Sequence, residues 1–150
     1  MTATFRVREI SWAEFHGDCL RLARRVEFAG NYQGIVAVSR GGLVPAAVLA
    51  TCLDIRKVET ISVASYEGSN RGEVRLLKEA PAAGDGEGWL VVDDLVDSGA
   101  TARTVRSLLP RARYVVVYAK SDGEAVVDDY GVLVEPSEWL RFPWEGNPSG

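Results

Sequence analysis

Three carboxylates and a run of small residues stand together in Leu90-Val91-Val92-Asp93-Asp94-Leu95-Val96-Asp97-Ser98-Gly99-Ala100-Thr101. Trp89 to Val92 form a short apolar run of the kind that makes a strand covered on both faces, so Asp93 and Asp94 fall at its end. Adjacent carboxylates repel each other, and a strand end that carries two of them calls for a cation or for hydroxyl donors close by. Magnesium or the hydroxyls of a ribose would supply that partner. Asp97 to Thr101 then turn into the next helix, where small residues let backbone N–H groups close round a phosphate at the positive helix end. Ser98 and Thr101 add hydroxyl donors. The plain alternative is an ordinary helix cap, with Asp97 or Ser98 closing the first turn and the acids solvated.

A second strand end, Val38-Ser39-Arg40-Gly41-Gly42-Leu43-Val44-Pro45, also leads into a helix. Its glycine pair permits backbone geometry closed to other residues, which would bring amides and Arg40 near an anionic group. Lys120, at a further strand end, and Trp139, late in the chain, have bland readings of their own: a solvated lysine, and a core or interface tryptophan.

The elements that must hold these residues are written in the hydrophobic pattern. Ser11-Trp12-Ala13-Glu14 has capping-box spacing, and Phe15, Cys19, Leu22, Ala23 and Val26 recur down one face of the helix that follows. Gly34 to Val38 predicts a buried strand, and Leu43 to about Leu53 a helix with Pro45 in its first turn. Val58 to Tyr66 predicts a strand, Glu67 to Glu73 a mobile surface loop, and Val74 to Lys78 a returning strand. After the glycine-rich turn Ala83 to Gly88 come the Trp89 to Val92 strand, a helix from about Ala100 to Leu109 stopped by Pro110, and a strand from Tyr114 to Ala119. Strands alternating with helices predict an α/β domain, doubly wound, with a mainly parallel sheet flanked by helices and ligands beyond the carboxyl ends of the strands.

Composition narrows the partners. The 150 residues, 47% of them hydrophobic, suit one domain over 1–150, with 145–150 a loose tail. A formal charge of -4 argues against nucleic acid as partner. Cys19 and Cys52 are too few and too far apart for a metal knuckle or disulfide framework and read as small buried apolar residues. The opening MTATFRVREI lacks secretory character, and no apolar segment is long enough to cross a bilayer, so a cytoplasmic protein is expected. His16, the sole histidine, sits on the opening helix away from both acidic and glycine motifs.

The string of apolar strand, two acids, two apolar residues, third acid and then Ser-Gly-small-Thr resembles the signature of the type I phosphoribosyltransferase family. Within that family it is most similar to the bacterial enzymes acting on the 6-oxopurines xanthine and guanine. The resemblance extends through AVSRGGLVP, Ser65-Tyr66, GDGEG, DDLVDSGAT, the strand-end YAK, VDDY, Trp139-Leu140 and Phe142-Pro143-Trp144. It implies a mobile loop, a small C-terminal hood over the base, and a reaction joining the base to phosphoribosyl pyrophosphate with magnesium as cofactor.

Carried over by position, the resemblance implies that Arg40 and Gly41 bind pyrophosphate. Asp93, Asp94, Leu95, Val96, Asp97, Ser98, Gly99, Ala100 and Thr101 would hold the ribose and its 5′-phosphate. Asp94 would be the magnesium-associated acid and Asp97 the proton-exchanging one, with Asp93 beside them. Lys120 would donate to the 6-oxo group, Trp139 would stack on the base and the Leu140 backbone would read its far edge. Asp128-Asp129-Tyr130, though shared, reads as structural. Ala100 stands where many relatives carry glycine and is tolerated if its φ is negative. The family's basic loop residue is displaced here, leaving Arg71, Arg75 and Lys78 unranked, and the tail differs. A homotetramer or homodimer is implied, as is peripheral association with the inner face of the cytoplasmic membrane. Two rivals are a non-catalytic nucleotide-sensing regulator on the same fold and a phosphoacceptor signalling domain, whose paired acids would belong to an early strand.

Overall fold

In the computed structural model, which describes residues 4–65 and 74–146, the apolar runs become the central strands of one sheet. The elements are β1 (Arg6–Glu9), α1 (Trp12–Ala29), β2 (Gly34–Ser39), α2 (Leu43–Cys52), β3 (Val58–Ser65), β4 (Val74–Lys78), β5 (Trp89–Val96), α3 (Ala100–Leu108), β6 (Arg113–Lys120), β7 (Asp129–Val134) and β8 (Glu138–Arg141). The larger sheet runs β4-β3-β2-β5-β6-β7, parallel throughout except where β4 returns antiparallel to β3.

Alternation along the buried strands divides the core between two faces. Ile35, Ala37, Leu90, Val92, Val115 and Val117 pack with α1 and α2, whereas Val36, Val38, Val91, Tyr114 and Val116 pack with Ala102 and Val105 of α3. The predicted face of α1 is the buried one, and its start is fixed by the Glu14 N–H, which donates to Ser11 Oγ at 3.1 Å. The order of the sheet reverses between β2 and β5: one neighbour, β3, follows β2 outward in one direction, and β6 and β7 follow β5 in the other. Beyond the carboxyl ends of those two strands the connecting loops diverge and leave a crevice.

β1 and β8 make a separate two-stranded parallel sheet, with Val7 opposite Trp139 and Arg8 opposite Leu140. The hood expected from the C-terminal segment is therefore half N-terminal. Four residues reading Arg-Val-Arg-Glu carry no apolar run, so nothing local announces β1. Cys19 is buried as expected, but Cys52 is exposed, since it lies in the last turn of α2 past the buried positions Pro45, Ala46 and Leu49. No helix among the described residues is long and apolar enough to cross a membrane. The expected mobile loop at Glu67 to Glu73, with Tyr66 before it, lies outside the described residues, as do residues 147–150.

Candidate active site

β2 and β5 lie in register, Val36 opposite Val91 and Ala37 opposite Val92, and two cavities open past their carboxyl ends. The larger, about 540 Å³, is lined by Arg40 and Gly41 from the turn after β2, by Asp93, Asp94 and Thr101, and by Trp144 and Glu145. The other, about 370 Å³, is walled by the continuous segment from Asp93 to Ala102. Both share Asp93, Asp94 and Thr101, so the paired acids stand on the boundary between an Arg40 side and an α3 side.

The acids lie inside β5, which runs on to Val96, and not past its end. Asp93 is 8% exposed and its Oδ1 accepts the Asp94 N–H at 2.8 Å. Burial first, and then the neighbouring Asp94 charge, push the Asp93 carboxyl well above the usual carboxylate range. Burial also raises Asp94, with the negative charge of Glu145 adding to the rise against hydrogen bonds that favour ionisation. A positive or hydroxyl-bearing ligand at this boundary would relieve both groups.

Gly41 and Gly42 are needed for space and not for an unusual φ. Neither is in the positive-φ region, but a Cβ on Gly41 would fall 2.7 Å from Asp94 Cγ, and one on Gly42 2.7 Å from the Val38 carbonyl oxygen. The turn thus brings its backbone against the carboxylate, with the exposed Arg40 side chain beside it. The peptide bond between Ser39 and Arg40 is cis.

On the other side, Gly99 takes a φ of +93° as the N-cap of α3, and no side chain caps that first turn. The plain helix cap considered for Asp97 or Ser98 is therefore absent: Ser98 Oγ accepts only the Ala100 N–H, at a long 3.4 Å. The first residues of a nine-residue helix, at its positive dipole end, line the smaller cavity, a place suited to an anion. Ala100 is helical with no positive φ, so an alanine sits there without backbone strain.

The carboxylate of Asp97 reaches back toward β6, where Lys120 Nζ lies 3.7 Å from its Oδ1. Lys120 is buried, not the solvated strand-end lysine of the bland reading. Trp139 sits on β8 with 56% of its surface exposed, edge-on to Phe5, while the Leu140 side chain packs into the core with Phe15 and Tyr118. Neither Trp139 nor Leu140 lines the two cavities. The acids of VDDY are structural: Asp128 accepts the Tyr114 N–H and pairs with Arg106, and Asp129 pairs with Arg25. Of the loop cations, Lys78 is engaged with Glu59 and the carbonyls of Thr60 and Glu79, and Arg71 lies outside the described residues.

Trp144 and Glu145 are site residues that the sequence reading missed. The Trp144 ring stacks on Phe142 at 4.7 Å and 5° and meets Phe15 edge-on at 4.8 Å, which carries Glu145 to the mouth of the larger cavity. The Phe142 N–H donates to Glu145 Oε2 at 3.3 Å, and the Glu145 N–H donates to the Phe142 carbonyl at 3.0 Å. The acid directly after an aromatic run was the available signal.

No group of three or more His, Cys, Asp or Glu side chains among the described residues is placed to hold a metal ion unaided. The donors present are carboxylate oxygens, Asp94 foremost. Such a set fits magnesium, which keeps most of its water and is commonly held by one or two carboxylates plus the phosphates of a substrate.

Comparison with known proteins bears on the fold that carries this site. The phosphoribosyl transferase domain family matches residues 11–146. Xanthine-guanine phosphoribosyltransferase of Idiomarina loihiensis is 47% identical over 137 residues, 91% of this chain and 85% of that protein. Among solved structures, a purine phosphoribosyltransferase from Pyrococcus horikoshii superposes with a TM-score of 0.81 at 26% identity, covering 95% of each chain. Xanthine-guanine-hypoxanthine phosphoribosyltransferase of Helicobacter pylori has a TM-score of 0.77 at 24% identity, covering 93% of this chain and 94% of its own, and shows the shared fold.

Proposed function

The chain belongs to the phosphoribosyltransferase family, and from that premise we propose that it salvages 6-oxopurines. Xanthine, guanine or hypoxanthine would react with phosphoribosyl pyrophosphate to give the nucleoside 5′-monophosphate and pyrophosphate. The observation that carries the reading is the paired acid, Asp93 and Asp94, standing between the Arg40-Gly41 turn and the first turn of α3. One sugar with a phosphate on one side and a pyrophosphate on the other spans that arrangement.

In this reading a purine ring nitrogen forms its bond to the anomeric carbon as the bond to the pyrophosphate oxygen breaks, and positive charge develops on the ribose. The α3 amides, with Ser98 and Thr101, hold the 5′-phosphate, while Asp93 and Asp94 take the ribose hydroxyls. Arg40 and the Gly41 backbone receive the pyrophosphate, whose departure increases the charge they face. Asp97 accepts the proton that the purine ring gives up, and Lys120 donates to the 6-oxo group. Trp139 stacks on the base beside the Leu140 backbone. Asp94 would hold magnesium, which when bound neutralises charge on the leaving pyrophosphate. Assembly as a homodimer or homotetramer in the cytoplasm accompanies this reading on the strength of the family resemblance.

The test offers phosphoribosyl pyrophosphate and magnesium with xanthine, guanine, hypoxanthine, adenine or orotate and measures the nucleotide formed. Product with the three 6-oxopurines is expected. Product with adenine or orotate alone would overturn the substrate class.

A further inference from the structure

We propose that Phe5 is a positioning residue for the base: it holds the Trp139 ring edge-on, so that the N-terminal strand helps to set how tightly the purine is bound. The inference rests on the reading of Trp139 as the surface on which the base stacks. The first observation is the ring pair itself, 6.5 Å between centroids at 76°, the edge-to-face arrangement that aromatic quadrupoles favour. Phe5 is the one aromatic ring paired with Trp139 among the described residues. Both rings are more than half exposed, so the packing that fixes a buried tryptophan is missing here. An indole in that situation hops between rotamers unless a neighbour restricts it.

A second, independent observation ties β1 to the strand that carries Trp139. A two-stranded sheet is marginal on its own, and exposed parallel pairs are unusual. Here ion pairs link its two strands. Glu138, 7% exposed, pairs with Arg6 at 3.0 Å and with Arg8 at 3.6 Å, and Arg141 pairs with Glu9 at 3.0 Å. These contacts flank Trp139 on both sides along β8 and set Val7 directly opposite it. Alternation along the strand puts Val7 on the face opposite Arg8, the half-buried side chain of β1, and Phe5, one residue before the strand, has the parity of Val7. β1 thus leads directly from Phe5, whose ring meets that of Trp139, into the strand paired with the one that carries Trp139.

Steady-state kinetics with guanine and phosphoribosyl pyrophosphate varied separately compare Phe5→Ala, Phe5→Tyr, Trp139→Ala and the Phe5→Ala/Trp139→Ala double variant. Phe5→Ala is expected to raise KM for guanine roughly three- to tenfold, the scale of one aromatic pair, with KM for phosphoribosyl pyrophosphate unchanged. Phe5→Tyr should restore the parental value, and Phe5→Ala should add nothing once Trp139 is alanine. An unchanged guanine KM in Phe5→Ala, equal rises in both KM values, or a further rise in the double variant would each overturn the positioning role. An unchanged guanine KM in Trp139→Ala would instead sink the stacking reading itself, so the two failures are told apart.

Discussion

The Lys120 ammonium, on a side chain 5% exposed, lies 3.7 Å from the carboxylate of Asp97, which is 64% exposed. At that distance the two charges attract without a hydrogen bond, which leaves the lone pairs of the open acid to a ligand. If Asp97 exchanges the purine proton, Asp97→Ala should lower kcat roughly 10²–10⁴-fold while KM for phosphoribosyl pyrophosphate barely moves. Lys120→Ala should act chiefly on the kinetics of xanthine and guanine. Initial-rate measurements decide both: near-parental turnover in the first variant removes Asp97 from the chemistry, and unchanged purine kinetics in the second reject its contact with the 6-oxo group.

Gly41→Ala tests the close approach of the turn to Asp94. A methyl group there meets the carboxylate well inside contact distance, so either the turn or Asp94 must shift. Displacement by about 1 Å of a group that positions substrate can cost on the order of 10²-fold in rate. We expect kcat/KM for phosphoribosyl pyrophosphate to fall on that scale while circular dichroism stays that of the parent. Retained activity would show that the tight contact is incidental.

The parts of this fold legible in the sequence are those set by local pattern. β2, β5 and β6 follow from unbroken apolar runs, and α1 from its cap and the spacing of Phe15, Cys19, Leu22, Ala23 and Val26. The paired acids and the glycine turn were visible because their chemistry lies in adjacent residues. What was not visible depends on partners far along the chain. β1 is a strand only through its pairing with β8, more than a hundred residues away, where Arg6 and Arg8 also meet Glu138. Glu145 is held at the cavity because Trp144 packs on Phe15 and Phe142. Even the reason for Gly41 is remote: its constraint is Asp94 on another strand, not its own φ.

Tyr118 ties stability to pH at the alkaline end. Its hydroxyl donates to Asp18 Oδ2 at 2.6 Å, and burial, with that bond second, holds its pKa above the ordinary 10.0. The folded protein thus keeps a proton that the unfolded chain releases above about pH 10, and stability falls as pH rises through that region. Tyr118→Phe should cost about 1.5–3 kcal/mol at neutral pH, the worth of a hydrogen bond to a charged group. It should also flatten the alkaline decline. Urea titrations at neutral and alkaline pH read both effects, and parallel declines in parent and variant would assign the alkaline loss to other groups.

Gly99 carries a backbone demand that meets the site directly. At a φ of +93° any side chain is strained, by roughly 1–2 kcal/mol, and a Cβ would also press on Val126 Cγ2 at 2.9 Å. The residue that relaxes is the N-cap of α3, whose first residues line the smaller cavity. Gly99→Ala should therefore raise KM for phosphoribosyl pyrophosphate several-fold in addition to lowering Tm. Gly84 supplies the control: its φ is +57°, a Cβ there meets nothing within 4 Å, and it lines neither cavity of the site. Gly84→Ala should lower Tm by a similar strain and leave that KM alone. Equal KM changes in the two variants would mean that the cost is global, and the α3 amides would lose their claim on the 5′-phosphate.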